Sequence, residues 1–285
     1  MIVRYDAVGM SDKCTKDDNE DAFYLDNKKG VFIVADGASG RDHGETASRI
    51  AVDTSSKFLL PHEFFAMSLE DTAHAVRDSM TAARESVENY FISKGYERSS
   101  ENFPCTTLSI AVTNGDYLVH GNIGDSRLYL VHPEGRQNDA PKGFSFGVTL
   151  ENVTSHEHRF IGMGSHRPSM RTFKLRPDYC GFLLCTDGFY HHFEDDIVIS
   201  DVRFDKSITG IRDFFVKYSR GRPRLSDENF PKVFGTVSVG EEKVGEENDF
   251  FNYERSPDDV VNIVKRLCQL DALDNVTFIY CLLKR

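Results

Sequence analysis

Asp36, Asp125, Asp187 and Asp274 share one local setting: each stands at the edge of a short apolar run, beside a turn or a small residue. The stretches are Val31-Phe32-Ile33-Val34-Ala35-Asp36-Gly37, Asn122-Ile123-Gly124-Asp125-Ser126-Arg127, Phe182-Leu183-Leu184-Cys185-Thr186-Asp187-Gly188 and Leu273-Asp274-Asn275-Val276-Thr277-Phe278. A further acidic spot, Asn19-Glu20-Asp21, precedes Ala22-Phe23-Tyr24-Leu25. Apolar runs of this length read as buried strands. A carboxylate at the end of a buried strand is costly unless something positive neutralises it. Several converging carboxylates repel one another, and a hard divalent cation with oxygen ligands relieves both costs. The pattern therefore predicts a magnesium- or manganese-type centre built from sequence-distant strand ends.

The elements that would position these residues follow from the chain's periodicity. Strands are expected over Ile2 to Val8, Ala22 to Leu25 and Val31 to Ala35, forming a meander turned at Asn27-Lys28-Lys29-Gly30. A helix from Glu45 to Leu60 stops at Pro61, and Glu45 is a first-turn residue favoured by the helix dipole. A longer helix runs from Ser68 to Lys94, with Ser68 and Asp71 as its cap and Gly95 as its stop. Cys105 to Val112, Tyr117 to Ile123 and Arg127 to Val131 read as strands, with a hairpin turn at Asn114-Gly115. Met170 to Leu175 and Gly181 to Thr186 predict a hairpin around Pro177-Asp178. Ile208 to Tyr218 and Pro257 to Leu270 read as helices, and Asn275 to Leu283 as a terminal strand. Strands come in runs and helices in runs, which predicts α+β with antiparallel sheets rather than alternating βαβ units. Two sheets packed face to face would bring loops from both to one rim, where the aspartates would meet.

Composition narrows the function classes. The chain has 285 residues, 40% hydrophobic and 28% charged, with a formal net charge of −11. That balance suits a soluble globular protein, and the acidity argues against nucleic acid or an anionic membrane as partner. The six cysteines form no Cys-x-x-Cys pair, so free thiols in a reducing compartment are expected, not zinc ligands. No stretch approaches the ~20 apolar residues of a membrane span. A cytoplasmic monomer is the expectation.

Read in order, Asn19-Glu20-Asp21, Ala35-Asp36-Gly37, Gly44-Glu45-x-Ala47-Ser48, Thr106-Thr107-Leu108, Gly124-Asp125-Ser126-Arg127-Leu128-Tyr129, Thr186-Asp187-Gly188 and Asp274-Asn275-Val276-Thr277 resemble a known series. The chain is similar to the PP2C (PPM) metal-dependent protein serine/threonine phosphatases, bacterial type, over residues 2 to 283. The resemblance implies one αββα domain, an antiparallel β-sandwich flanked by helical layers. It implies a binuclear Mn2+ or Mg2+ centre, with a place for a third ion, and hydrolysis of phosphoserine and phosphothreonine by a metal-activated water. Phosphoproteins made by a Ser/Thr kinase would be the substrates. By position, Asp36 bridges both metals, Gly37 offers its carbonyl, Asp187 and Asp274 hold the first metal, and Glu20 and Asp21 serve the second. Being adjacent, Glu20 and Asp21 point to opposite faces if strand-like, so only one need be a direct ligand. Asp125, with Asp187, matches the third-metal place.

The chain also departs from the series. Lys16 stands where the family has an arginine that grips the substrate phosphate, and it supplies charge without the bidentate fork. Ala38-Ser39 replaces a histidine proposed as general acid in many relatives, and the nearby His43 reads as a solvated loop residue. Arg127 reads as a salt bridge or turn support, not as a substrate contact. Phe146 to Pro168, with His156, His158 and His166, is the expected flap, its histidines read as surface residues. Residues 219–257 form an insertion. A catalytically weak binding or regulatory module is the competing class; a metal-dependent nuclease fits the carboxylates but not the acidity.

Overall fold

The structure is a computed structural model that describes residues 4–38, 41–133, 148–154, 160–164, 167–175, 181–190 and 274–284. Its strands are β1 (Arg4–Asp12), β2 (Asp21–Asp26), β3 (Val31–Asp36), β4 (Leu108–Asn114), β5 (Tyr117–Ile123), β6 (Arg127–Pro133), β7 (Val148–Asn152), β8 (Ser169–Lys174), β9 (Gly181–Cys185) and β10 (Val276–Lys284). They form two five-stranded sheets, one ordered β1-β10-β9-β6-β7 and the other β2-β3-β4-β5-β8. Every pairing is antiparallel. The α+β sandwich expected from the chain is the fold observed.

The second sheet is the middle layer, which explains why β3 is a continuous apolar run. Phe32 and Val34 face the first sheet, beside Phe182, Leu184 and Ile279. Val31, Ile33 and Ala35 face the opposite way, into a core shared with α1 (Gly44–Leu59) and α2 (Leu69–Ser93). A strand covered on both faces has no place for alternating polar residues. The helices bury Ala47, Ala51, Val76, Met80, Ala83 and Val87 against it. The cap of α2 is the one expected: Ser68 Oγ accepts from Asp71 N at 3.0 Å and donates to Asp71 Oδ2 at 2.7 Å. The expected helices at 208–218 and 257–270 and the insertion at 219–257 lie outside the described residues.

Three expectations are corrected. β1 does not extend a meander with β2; it pairs with β10 from Arg4↔Lys284 to Asp12↔Val276, in the other sheet. β8 and β9 do not form a hairpin, because β8 pairs with β5 and β9 lies between β10 and β6. Alternation tells which face of a strand is apolar but not which sheet receives it. Within the segment expected as a flap, Val148–Asn152 is an edge strand paired with β6.

Candidate active site

The acidic residues stand where strands of both sheets end. Asp36 closes β3 and lies opposite Asp21, which opens β2, in direct register. Asp187 follows β9, Asp274 precedes β10, and Asp125 lies in the crossing from β5 to β6. That crossing carries the chain from one sheet to the other, so Asp125 joins a rim that neither sheet could build alone.

Threonines hold two of these carboxylate residues in place. Asp36 N donates to Thr107 Oγ1 at 2.8 Å, and Asp36 O accepts from Thr107 N and Thr106 Oγ1, both at 2.8 Å. Thr107 Oγ1 is in turn 2.9 Å from Ser126 Oγ. Asp21 is buried, and its Oδ2 accepts from Thr186 Oγ1 at 2.9 Å. Its Oδ1 is buried without a hydrogen-bond partner among the described residues.

Electrostatics tie the rim together. Burial pushes the Asp21 carboxyl up to about 8; hydrogen bonds to Thr277 and Thr186 act against this, while the charges of Asp187 and Asp274 add to it. Asp36 is held well above the usual carboxylate range, first by burial, then by the charges of Asp21 and Asp187, a hydrogen bond with Asp187, and the charge of Asp125. The expected residues Asp21, Asp36, Asp125, Asp187 and Asp274 thus share one local field.

The donor set suits a hard cation. It consists of carboxylate oxygens, with Asp21 and Asp36 raised by burial and by neighbouring carboxylates and one buried Asp21 oxygen without a partner among the described residues, and a divalent cation would relieve both penalties. Among the described residues no group of three acidic, histidine or cysteine side chains stands in ligating geometry. The fit therefore rests on charge and donor chemistry.

The remaining expected residues divide. Gly37 is at the rim: its N donates to Glu20 O at 3.0 Å, and a Cβ there would come within 2.3 Å of the Gly44 carbonyl group. Only glycine permits that approach of the β3 end to the start of α1. The Glu20 carboxylate lies beside Gly44 and Gly37: a Cβ added to Gly44 would meet Glu20 Oε1 at 2.7 Å and Gly37 C at 3.1 Å. Lys16 Nζ lies 3.3 Å from Asp274 Oδ1. His43 sits against Phe91 and Tyr96, with ring centroids 6.3 and 6.1 Å away, and its Nδ1 is 3.6 Å from Glu45 Oε1. Arg127 stacks over the Tyr190 ring at 3.5 Å and donates to Tyr129 OH at 3.1 Å, which suits turn support. His156, His158 and His166 lie outside the described residues. The flap segment does reach the rim at Ile161, which bridges to Thr106, itself bridged to Gly37.

Sequence reasoning assigned no role to Thr106, Thr107, Thr186, Thr277, Tyr190 or Asn275. The threonines read as strand formers. Their available signal was position, since Thr186 directly precedes an acidic residue and Thr106-Thr107 opens a strand. Tyr190 OH donates to Asp125 O at 3.2 Å, joining the Asp187 turn to the Asp125 crossing.

The family model described as Protein phosphatase 2C matches residues 8–220. Solved structures share the fold at low identity. PppA from Pseudomonas aeruginosa, described as a key regulatory component of T6SS, aligns over 99% of each chain at 18% identity and a TM-score of 0.63. The Mycobacterium tuberculosis serine/threonine phosphatase PstP/Ppp aligns over 100% of each at 16% and 0.61. The PstP catalytic domain in complex with two manganese ions aligns over 100% of each at 16% and 0.59. No curated protein matches the chain by sequence.

Proposed function

The chain belongs to the protein phosphatase 2C family, and we propose that it hydrolyses phosphoserine and phosphothreonine in proteins at the carboxylate rim. The observation that carries this reading is the shared field of Asp21, Asp36, Asp125, Asp187 and Asp274. A phosphate dianion is repelled from such a site as it stands, so its substrate chemistry requires cations.

Asp36, Asp187 and Asp274 would hold one Mn2+ or Mg2+, and Asp36 with Asp21 a second. Asp125 would contribute to a third. Glu20, whose carboxylate lies beside Gly44 and Gly37, would serve the second ion partly through water. The manganese pair bound by the PstP domain supports the count of two. Bound there, the cations would supply an activated water near neutral pH and offset charge on the phosphoryl oxygens.

The chain's own residues do the rest. Thr186 orients Asp21, while Thr106 and Thr107 fix the backbone of Asp36. Lys16 stands beside Asp274 and offers a single positive charge to the substrate phosphate. A point charge attracts the dianion without fixing its orientation, so weaker phosphate binding than an arginine would give is expected. A kinase acting on Ser or Thr would generate the substrates.

The test is hydrolysis of p-nitrophenyl phosphate and a phosphothreonine peptide with Mn2+, with EDTA, and by Asp187→Ala. Cation-dependent turnover lost in EDTA and in the variant is the expected result. Metal-free turnover, or an indifferent Asp187→Ala, sinks the reading. Lys16→Arg should lower KM for the small phosphoester.

A further inference from the structure

Asn275 stands between Asp274 and β10, and its side chain is buried at 3% exposure. Its Nδ2 donates to Asp18 O at 2.9 Å and to Lys13 O at 3.3 Å, while its Oδ1 accepts from Glu20 N at 2.9 Å. These bonds use both donors and an acceptor of the amide, so little of its capacity is spare. All three partners lie in one segment, residues 13–20, which is more than 250 positions away in sequence. The backbone of Asn275 faces the other way: its N donates to Asp274 Oδ1 at 2.8 Å, and its carbonyl oxygen would lie 1.9 Å from a Cβ at position 188. Gly188 is therefore obligatory beside it. One residue thus contacts the Lys16 segment, Asp274 and the turn after Asp187.

The 13–20 segment spans Lys16. The segment runs from the end of β1 to the start of β2, and the Asn275 amide ties Lys13, Asp18 and Glu20, on both sides of Lys16, to one point; Lys16 N also donates to Lys13 O at 3.0 Å, and Asn19 Nδ2 to Ser11 Oγ at 2.8 Å. A lysine has a long flexible stem, so where its ammonium can reach depends on where its backbone is anchored. We propose that Asn275 is a positioning residue for the substrate-phosphate grip: it holds the 13–20 segment so that Lys16 stands at the rim beside Asp274. This rests on the phosphatase reading above. It assigns Asn275 to ground-state recognition of the phosphate rather than to the chemical step.

The experiment is steady-state kinetics on p-nitrophenyl phosphate with saturating Mn2+ for Asn275→Ala, Lys16→Ala and the double variant. Asn275→Ala should raise KM about tenfold with kcat within about threefold, the signature of lost ground-state binding. In the Lys16→Ala background the same change should move KM less than about twofold, because the two act through one contact. A fall in kcat at unchanged KM, or KM effects that multiply in the double variant, overturns the proposal while the phosphatase reading stands. A Lys16→Ala that leaves KM unchanged overturns the proposal together with the Lys16 assignment. Should Asn275→Ala fail to fold, the near-isosteric Asn275→Leu fills the buried space, removes both donors and the acceptor without adding charge, and is read by the same criteria. If the chain hydrolyses no phosphoester, the phosphatase reading fails by itself. Inorganic-phosphate affinity by calorimetry then replaces KM: non-additive weakening by the two substitutions supports the proposal, and unchanged affinity overturns it.

Discussion

Asp21 and His120 are both buried polar side chains on strands of the same sheet, yet the molecule treats them in opposite ways. His120 has its Nε2 2.9 Å from Ser109 Oγ. Burial, helped by the charge of Arg171, pushes it down to about 3, so it is a neutral, partnered core residue. Asp21 has one oxygen bonded to Thr186 and the other without a partner among the described residues, in a field of further carboxylates. Burial drives both toward their neutral forms, so a shifted pKa alone does not mark a site. What separates them is whether the polar group finds its partner inside the chain. His120 finds its partner in Ser109, whereas the rim around Asp21 leaves a buried carboxylate oxygen without one among the described residues.

The largest expected effect would break this comparison outright. Asp187→Ala should cut Mn2+-dependent phosphoester turnover by ~1,000-fold or more, while circular dichroism shows the fold retained. An inactive variant that is also unfolded would mean that the rim is structural, like the His120 pocket.

The next effect tests the sign of each shift. Asp21 binds its proton more tightly folded than unfolded, so without cations stability should fall as pH rises from about 4 to about 8. The contribution is on the order of a few kcal/mol, read by denaturant unfolding, and Asp21→Asn should reduce the slope, leaving the part that Asp36 contributes. Added Mn2+ should recover the stability at the alkaline end in the natural chain and less in the variant. His120 runs the other way: the unfolded imidazole takes a proton that the folded one refuses, so its contribution is lost as pH falls from about 6.5 to about 3. His120→Gln should remove that acid-side slope alone. Finding both residues sloping the same way would dissolve the contrast.

Smaller effects sharpen it. Ser109→Ala leaves His120 Nε2 without its partner and should cost ~1–2 kcal/mol in chemical denaturation, with turnover within about twofold. Ser68→Ala removes a cap on the α2 surface and should cost ~1 kcal/mol without any change in activity, setting the baseline for losses remote from the rim.

Local signals were the legible ones. The α2 cap, the β3 run and the strand-end aspartates follow from a few neighbouring residues each, and the structure has the cap, the strand and the convergence. Pairing was not legible. β1 and β10 are joined across almost the whole chain, and no local pattern announces that β10 inserts between β1 and β9. The hairpin expected at Pro177-Asp178 failed for the same reason, because turn chemistry signals a reversal without naming the partner strand. Within the rim, the residue types pointed to the carboxylates but not to what holds them. The role of Thr186 depends on register between distant strands, and that of Asn275 on a contact spanning the two ends of the described chain. Carboxylates show themselves by charge; neutral residues that orient them show themselves only in three dimensions.

The insertion of β10 between β1 and β9 also sets an order of events during synthesis. A ribosome releases β1, β2, β3, β9 and the Asp187 turn long before Asp274, Asn275 and β10 exist. Until β10 emerges, β1 and β9 expose facing unpaired edges, and Lys13, Asp18 and Glu20 lack the amide that ties them together. The second sheet has its consecutive strands β2 to β5 much earlier. The nascent chain thus carries half a sandwich, and its rim assembles only when translation of this region ends. Pairings this distant in sequence are slow to form, so those two edges stay unpaired until the strand that joins them arrives.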